Sequence, residues 1–236
     1  MTEALVPADL AIDLRQLVMT IANTVDLVGV DDVMHGRRVG MLARELAVRM
    51  GWSEADQLIL YDAGLLHDCG VSSTRVHHRL VVDLEWSGAD EHCIRGDELL
   101  AGFLPLAHLA PIIRYHHSAW EWLVTQNLPG DTARFANLIY LADRIDVLAA
   151  PYHADQSILA HSDEIRARLA GARGRLFSPE LVDAFELITV ERRIFGVLGG
   201  AVHQACDFLI GQFADHFAGR THDQLAGRVG FAFRDQ

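Results

Sequence analysis

The chain has 236 residues, half of them apolar, and a formal net charge of −12 at pH 7. This length and apolar content suffice for one sizeable globular domain, and the acidic balance disfavours a surface that binds nucleic acid polymers. All twenty basic residues are arginine, which excludes a Walker-type phosphate loop, a Schiff-base lysine and a Ser-x-x-Lys nucleophile site.

Apolar residues recur every three to four positions along most of the chain, which is typical of amphipathic helices. The predicted helices in the first part of the chain are, in order, 10–25, 33–50 closed by Gly51, 53–68 opened by Ser53 with Asp56, 89–102, 105–117 and 131–150 stopped by Pro151. Residues 70–90 and 118–130 lack a clean period and are predicted to be irregular. Three or four further helices are predicted after Pro151.

No segment shows the alternation of a strand, and no repeat or linker divides the chain. We therefore predict an all-α helical bundle, with one domain over residues 1–195. Residues 196–236 are predicted to form a C-terminal helical extension that packs on the domain or on a second subunit, as in a homodimer. A polar-faced, monomeric end is the alternative.

The cysteines and the N-terminal residues indicate the cellular compartment of the protein. The three cysteines are Cys69, Cys93 and Cys206, with no Cys-x-x-Cys pair, which favours a reduced compartment over a disulfide framework. No signal peptide is apparent, and the longest apolar stretch (194–202) is too short to cross a bilayer. We expect a cytoplasmic protein with no membrane partner.

Histidine and aspartate residues recur at long intervals, many of them at predicted helix ends. Imidazole and carboxylate groups together can hold divalent transition metals. The candidate metal ligands are Asp31, His35, His67, Asp68, His92, His116, His117 and Asp143.

Local features support individual candidates in this set. Asp31 and His35 are four residues apart and share a face if both are helical. His92 has Gly96 one turn later, where another backbone can approach closely. Asp143 lies in an otherwise apolar helix, where a carboxylate needs a partner. We expect Asp146 to support Asp143 or to pair with an arginine.

The order His35, His67-Asp68 and Asp143 resembles the HD superfamily of metal-dependent phosphohydrolases. The added His92, with the His116-His117 pair, resembles its HD-GYP branch, whose familiar members hydrolyse cyclic di-GMP. Further similar segments are His35-Gly-Arg-Arg-Val39, Ala63-Gly-Leu-Leu-His-Asp-Cys-Gly70 and Phe177-Ser-Pro-Glu-Leu-Val182. The resemblance spans roughly residues 15–190, and it implies an HD-domain helical bundle in which Asp31 is an extra acidic ligand.

Three features depart from that branch. The Gly-Tyr-Pro tripeptide expected after the paired histidines is absent, since Ser-Ala-Trp-Glu-Trp follows His117. Val71 stands where a lysine is common, and no basic residue clearly matches the one expected before Pro151-Tyr152. The metal ligands are complete, whereas the groups that read the substrate are altered.

The resemblance implies a phosphodiesterase that acts on a cyclic dinucleotide or related small nucleotide through a metal-bridged hydroxide. Asp68 and His67 are the predicted catalytic residues, with two divalent ions as cofactors. Iron or manganese is favoured, zinc is an alternative, and a third ion is an alternative to two. Phosphate contacts are predicted from Arg38, Arg75 and Arg114.

Two other functions stay open at this point. One is an HD-type phosphohydrolase of nucleoside mono- or triphosphates, in which the three extra histidines are accessory. The other is a degenerate, non-catalytic nucleotide-sensing domain, motivated by the altered substrate-reading groups.

Overall fold

The computed structural model describes residues 14–26, 34–72, 90–155 and 157–190 of the chain. Over these ranges the helices are α1 (Leu14–Asp26), α2 (His35–Arg49), α3 (Glu54–Leu66), α4 (Asp90–Ala101), α5 (Ala110–Tyr115), α6 (Trp120–Leu123), α7 (Thr132–Ala149), α8 (Ser162–Ala170) and α9 (Pro179–Val190). The described residues contain no strand, only an isolated bridge between Arg173 and Phe177. The all-α prediction is confirmed.

Short 3-10 helices adjoin several of these elements: Leu104–Leu109, Ala150–Tyr152 and Ile158–His161. The first of them replaces the start of the helix predicted over 105–117. Pro111 marks the change, because it has no N–H to donate to the carbonyl of His108, so the 3-10 turns end and an α-helix begins at Ala110. The one-turn helix α6 lies within the segment predicted to be irregular.

Helix α2 begins at His35, two residues later than predicted. Met34 precedes it with φ 80, a left-handed conformation that interrupts a right-handed helix. At the other end, Gly51 has φ +69, the conformation in which glycine commonly ends a helix. Ser53 begins α3 as predicted, with its hydroxyl accepting a hydrogen bond from the Asp56 N–H at 3.2 Å.

Helix α7 is the centre of the described bundle. Every residue from Phe135 to Asp146 is buried, so the middle of this helix is enclosed on all sides. The buried Asn137 side chain accepts a hydrogen bond from the Ser178 N–H at 2.8 Å and donates one to the Leu176 carbonyl at 2.7 Å. The loop before α9 is thereby fixed to α7.

Glycines bring two pairs of backbones into direct contact. A Cβ on Gly64 would lie 2.5 Å from the Cα of Gly40, so α2 and α3 pack at a distance that only glycine allows. A Cβ on Gly70 would lie 2.0 Å from the carbonyl oxygen of His92 and 2.5 Å from the nitrogen of Gly96. The predicted close approach at Gly96 is confirmed, and it sets the first turn of α4 against the turn that follows α3.

No helix among the described residues is both long and apolar enough to cross a membrane. The predicted boundary at residue 195 and the extension 196–236 lie outside the described residues.

Candidate metal centre

Seven of the eight predicted metal ligands lie in one buried cluster. Their side chains come from helix ends and from the middle of α7, and each is at most 9% exposed. The seven are His35, His67, Asp68, His92, His116, His117 and Asp143. The eighth, Asp31, lies outside the described residues.

One half of the cluster contains His35, His67 and Asp143, whose ligand atoms all lie within 4.8 Å of one another. The Nε2 atom of His35 is 3.3 Å from Oδ1 of Asp143. The Nε2 atom of His67 is 3.9 Å from the same oxygen and 3.3 Å from Oδ2 of Asp68. Two imidazole nitrogens and two carboxylate oxygens thus face one small volume.

The other half contains His92, His116 and His117. The Nε2 atoms of His92 and His116 are 3.2 Å apart. Oδ1 of Asp68 is 3.5 Å from Nε2 of His92, and Oδ2 of Asp143 is 3.9 Å from Nε2 of His117. Each carboxylate therefore has one oxygen near each half, and Asp68 lies between the two groups of histidines.

Hydrogen bonds at the far side of the rings fix which nitrogen faces the centre. Nδ1 of His67 contacts the Gly64 carbonyl at 2.8 Å, and Nδ1 of His116 contacts the Ile113 carbonyl at 2.7 Å. A carbonyl only accepts, so each Nδ1 carries a proton, and Nε2 is the nitrogen of each ring that can bind a metal once it is deprotonated. This is the usual arrangement of histidines that bind metals.

Two buried arginine–carboxylate pairs support the cluster from outside. Arg38 donates to both oxygens of Asp146, at 2.7 Å and 3.0 Å, and Asp146 accepts from Nδ1 of His35 at 2.8 Å. Arg144 donates to Oδ2 of Asp143 at 3.0 Å and 2.6 Å. The predicted arginine partner of Asp146 is confirmed.

The arginines predicted to bind phosphate have different surroundings. The Arg38 side chain is 8% exposed and its guanidinium is engaged by Asp146, so it orients His35 through that carboxylate. Arg114 is partly buried, with its guanidinium 5.6 Å from the centre of the Tyr115 ring. Arg75 lies outside the described residues. Phosphate contact stays a prediction for all three.

Sequence reasoning missed two side chains of the centre. Arg144 had a detectable signal, since it lies between Asp143 and Asp146 in an otherwise apolar helix. Cys93 is 1% exposed, and its Sγ lies 3.7 Å from Nε2 of His92 and 3.5 Å from Nδ1 of His116. Its signal was its position directly after a predicted ligand.

The donor set fits a pair of divalent transition metals. Oδ1 of Asp68 is buried and has no hydrogen-bond partner among the described residues, although it lies 3.5 Å from a ring nitrogen of His92. An ionised oxygen in this state needs a cation. Five imidazoles with carboxylates suit iron, manganese or zinc. The clusters are therefore candidate metal sites.

Protons are distributed unevenly over the histidines of the centre. Burial acts to lower the pKa of His35, but hydrogen bonds to Asp143 and Asp146 outweigh it and raise that pKa well above its ordinary value. Burial, reinforced by the neighbouring His92, lowers the pKa of His116 to about 3. Near neutral pH, His35 is therefore protonated and His116 is neutral.

The two carboxylates of the centre are ionised. Burial acts to raise the pKa of Asp68, but the charge and hydrogen bond of His67 outweigh it and hold the pKa well below its usual range. Burial has the same effect on Asp143, where Arg144 is the main opposing influence and the pKa is again well below its usual range. Both groups are ready to bind cations at neutral pH.

We expect metal uptake by the metal-free protein to release a proton from His35, so that metal affinity rises with pH until the pH exceeds the raised pKa of that ring. The proton must leave Nε2 before that nitrogen can bind a metal. In the metal-free protein the same proton contributes stability below the unfolded pKa of about 6.5, and this contribution is lost as pH rises through the higher folded pKa.

Titration calorimetry in buffers of different ionisation enthalpy measures this proton release. The half-buried His161, which lies outside the centre, offers a matched control, and His161→Gln should leave the release unchanged. An affinity that does not vary with pH between 6 and 8 contradicts the expectation.

Comparison with known proteins agrees with this geometry. Residues 33–148 match the family model of the HD domain. The chain is 38% identical over 174 residues to 3'3'-cGAMP-specific phosphodiesterase 1 of Vibrio cholerae, covering 72% of this chain and 40% of that protein. It is 29% identical over 187 residues to 3'3'-cGAMP-specific phosphodiesterase 2 of the same organism, covering 74% of this chain and 35% of that protein. The chain thus spans well under half the length of either relative.

A solved structure shows the same fold. The crystal structure of a cyclic GMP-AMP-specific phosphodiesterase of Vibrio cholerae matches 81% of this chain and 52% of its own chain, with a TM-score of 0.60 and 19% sequence identity. The matched segment of the family model includes every described residue of the metal centre, from His35 to Asp146. Residues 33–148 of this chain therefore match the HD domain, and the described residues have its all-α fold.

Proposed function

We propose that this chain is a metal-dependent phosphodiesterase that hydrolyses a cyclic dinucleotide. The observation that carries the proposal is the position of Asp68, whose carboxylate lies between two groups of histidines that each face a small buried volume. A carboxylate shared in this way is suited to holding two divalent ions close together. The similarity to two proteins named as 3'3'-cGAMP-specific phosphodiesterases supports the substrate class.

The residues divide between the two ions according to their distances. His35, His67 and Asp143 would hold one ion, His92, His116 and His117 the other, and Asp68 both. Ions bound there supply Lewis-acid chemistry, acidifying water and polarising a phosphoryl group. Asp31 is a further proposed ligand, which would suit a third ion.

Two arginines hold the ligands of this centre in position and favour their ionised forms. Arg144 fixes Oδ2 of Asp143, and Arg38 fixes His35 through Asp146. Asp68 and His67 are the proposed catalytic residues, with Asp68 best placed to orient an attacking water between the two halves. Two dications would bring more positive charge than the ligating carboxylates cancel, so the centre would be net positive. A net positive centre would attract an anionic phosphodiester although the protein as a whole is acidic.

We further propose that the domain belongs to the HD-GYP-like branch, because His92, His116 and His117 extend the basic set of ligands into a second metal position. The absence of Gly-Tyr-Pro after His117 favours a substrate other than cyclic di-GMP, with 3'3'-cGAMP as the first candidate. The same absence motivates the alternative of a domain that binds nucleotides without hydrolysing them.

Anaerobically purified protein should contain iron, manganese or zinc and should convert 3'3'-cGAMP to a linear dinucleotide. Turnover should be faster than with cyclic di-GMP, because the altered segment after His117 changes the groups near the substrate. Nucleotide products are resolved by chromatography, with nucleoside triphosphates as a comparison. Cleavage of triphosphates alone would favour the mononucleotide alternative, whereas tight binding without cleavage by metal-loaded protein would favour the sensor.

A further inference from the structure

Cys93 lies at the second metal position although its residue type was not among the predicted ligands. It follows His92 in the first turn of α4, is 1% exposed, and belongs with His92 and His116 to a group whose donor atoms lie within 4.8 Å of one another. Its sulfur lies 3.7 Å from Nε2 of His92 and 3.5 Å from Nδ1 of His116. The sulfur is therefore held among donor groups of the centre.

Two separations in this group match those of ligands on one ion. Around a tetrahedral ion with bonds of about 2.05 Å to nitrogen and about 2.3 Å to sulfur, two nitrogens lie about 3.4 Å apart and nitrogen and sulfur about 3.6 Å apart. The observed separations are 3.2 Å between Nε2 of His92 and Nε2 of His116, and 3.7 Å between Nε2 of His92 and Sγ of Cys93. The sulfur also lies 3.5 Å from Nδ1 of His116, the nitrogen that contacts the Ile113 carbonyl.

A separate observation indicates that a cation belongs beside these three residues. Oδ1 of Asp68 is buried, has no hydrogen-bond partner among the residues the structure describes, and lies 3.5 Å from Nε2 of His92. The Asp68 side chain is 9% exposed, so water does not solvate this oxygen freely. A cation between His92, His116 and Cys93 would satisfy it.

We propose that Cys93 is a thiolate ligand of the ion held by His92 and His116. When the ion binds, the sulfur–hydrogen bond breaks, its proton leaves to solvent, and a sulfur–metal bond forms. A thiolate ligand favours iron or zinc over manganese. The position that includes Cys93 would therefore prefer iron or zinc. The position around His35 and His67 has only nitrogen and oxygen ligands and would not discriminate among the three metals in this way. The inference rests on the metal centre of the proposed function, but not on its substrate.

Cobalt substitution tests the sulfur–metal bond without measuring activity. Metal-free protein loaded with Co²⁺ should show a thiolate-to-cobalt charge-transfer band in the near ultraviolet, and X-ray absorption should show a sulfur scatterer at about 2.3 Å. Cys93→Ser should lose the band and the scatterer while keeping the ligand-field bands of the cobalt held by His35 and His67. The retained bands show that the variant is folded.

The other thiols of the chain are the matched controls. Cys69 is adjacent to Asp68, but its sulfur lies 4.0 Å from the Gly96 carbonyl, so Cys69→Ser should keep the charge-transfer band. Cys206→Ser should also keep it. Competition between metals gives a second measure, in which Cys93→Ser lowers zinc affinity at this position on the order of 100-fold and changes manganese affinity much less.

A wild-type protein that binds cobalt without a charge-transfer band or sulfur scatterer overturns the inference, as does a band that persists in Cys93→Ser. These results would leave the proposed function untouched. Conversely, a protein that shows the band but cleaves no nucleotide supports Cys93 as a ligand and counts against the proposed function. A protein that takes up no cobalt overturns both.

Discussion

Replacing Asp68 with alanine is expected to remove metal from both halves of the centre and to lower phosphodiesterase activity by at least about 1000-fold, or about 4 kcal/mol of transition-state stabilisation. The reason is its position: Oδ2 lies 3.3 Å from Nε2 of His67, and Oδ1 lies 3.5 Å from Nε2 of His92. Both groups of histidines lose a negative ligand through one substitution.

Comparison with His67→Ala makes this test specific. That variant removes a ligand from one half only, so it should lose one of the two ions and keep the other. Asp163→Ala is the matched control for Asp68→Ala, because the Asp163 side chain is 87% exposed and its removal should change neither metal content nor activity. Metal analysis after gel filtration, combined with the nucleotide assay, measures both quantities.

Equal metal loss in Asp68→Ala and His67→Ala would contradict a shared carboxylate. Retained activity in the double variant His67→Ala with Asp68→Ala would contradict the proposed hydrolase itself. The two failures differ, since the first concerns how the ions are held and the second concerns whether this centre performs the reaction.

Helices and candidate ligands could be read from the sequence because both depend on local pattern. Apolar spacing and the end signals at Gly51 and Ser53 are local, and they correspond to α2 and α3. His67-Asp68 directly follows the last residue of α3, so its position at a helix end also depends on local sequence. The start of α2 was missed, because nothing in the sequence indicates that Met34 adopts a left-handed conformation.

Arg144 shows what helical spacing cannot predict. Adjacent residues on a helix project about 100° apart, so spacing alone separates Arg144 from Asp143. The long arginine side chain nevertheless reaches back to Oδ2 of its neighbour. Arg38 differs, because it is one turn from His35 and on the same face, which is why both reach Asp146. Cys93 was missed for the same reason as Arg144, because adjacent positions on a helix project in different directions and spacing alone does not place Cys93 beside His92.

Substituting Arg144 with methionine is expected to cost about 3–5 kcal/mol of unfolding free energy in the metal-free protein. Arg144 and Asp143 are each 2% exposed, and the guanidinium is the main influence that keeps the carboxylate ionised despite burial. Methionine has a similar length and is apolar, so the loss reports mainly the removal of the guanidinium from Asp143, which then keeps its contact with His35. Urea denaturation in the presence of a chelator measures it.

The same variant should lose much less stability when metal is bound, because an ion at Oδ1 compensates the charge that Arg144 no longer balances. The difference between the metal-free and metal-loaded losses therefore measures how strongly Arg144 and the ion share Asp143. Arg173→Met is the matched control, since it breaks an exposed pair with Asp183 and should change stability little in either form. Equal losses with and without metal would show that Arg144 contributes packing alone, and that the ion does not contact Asp143.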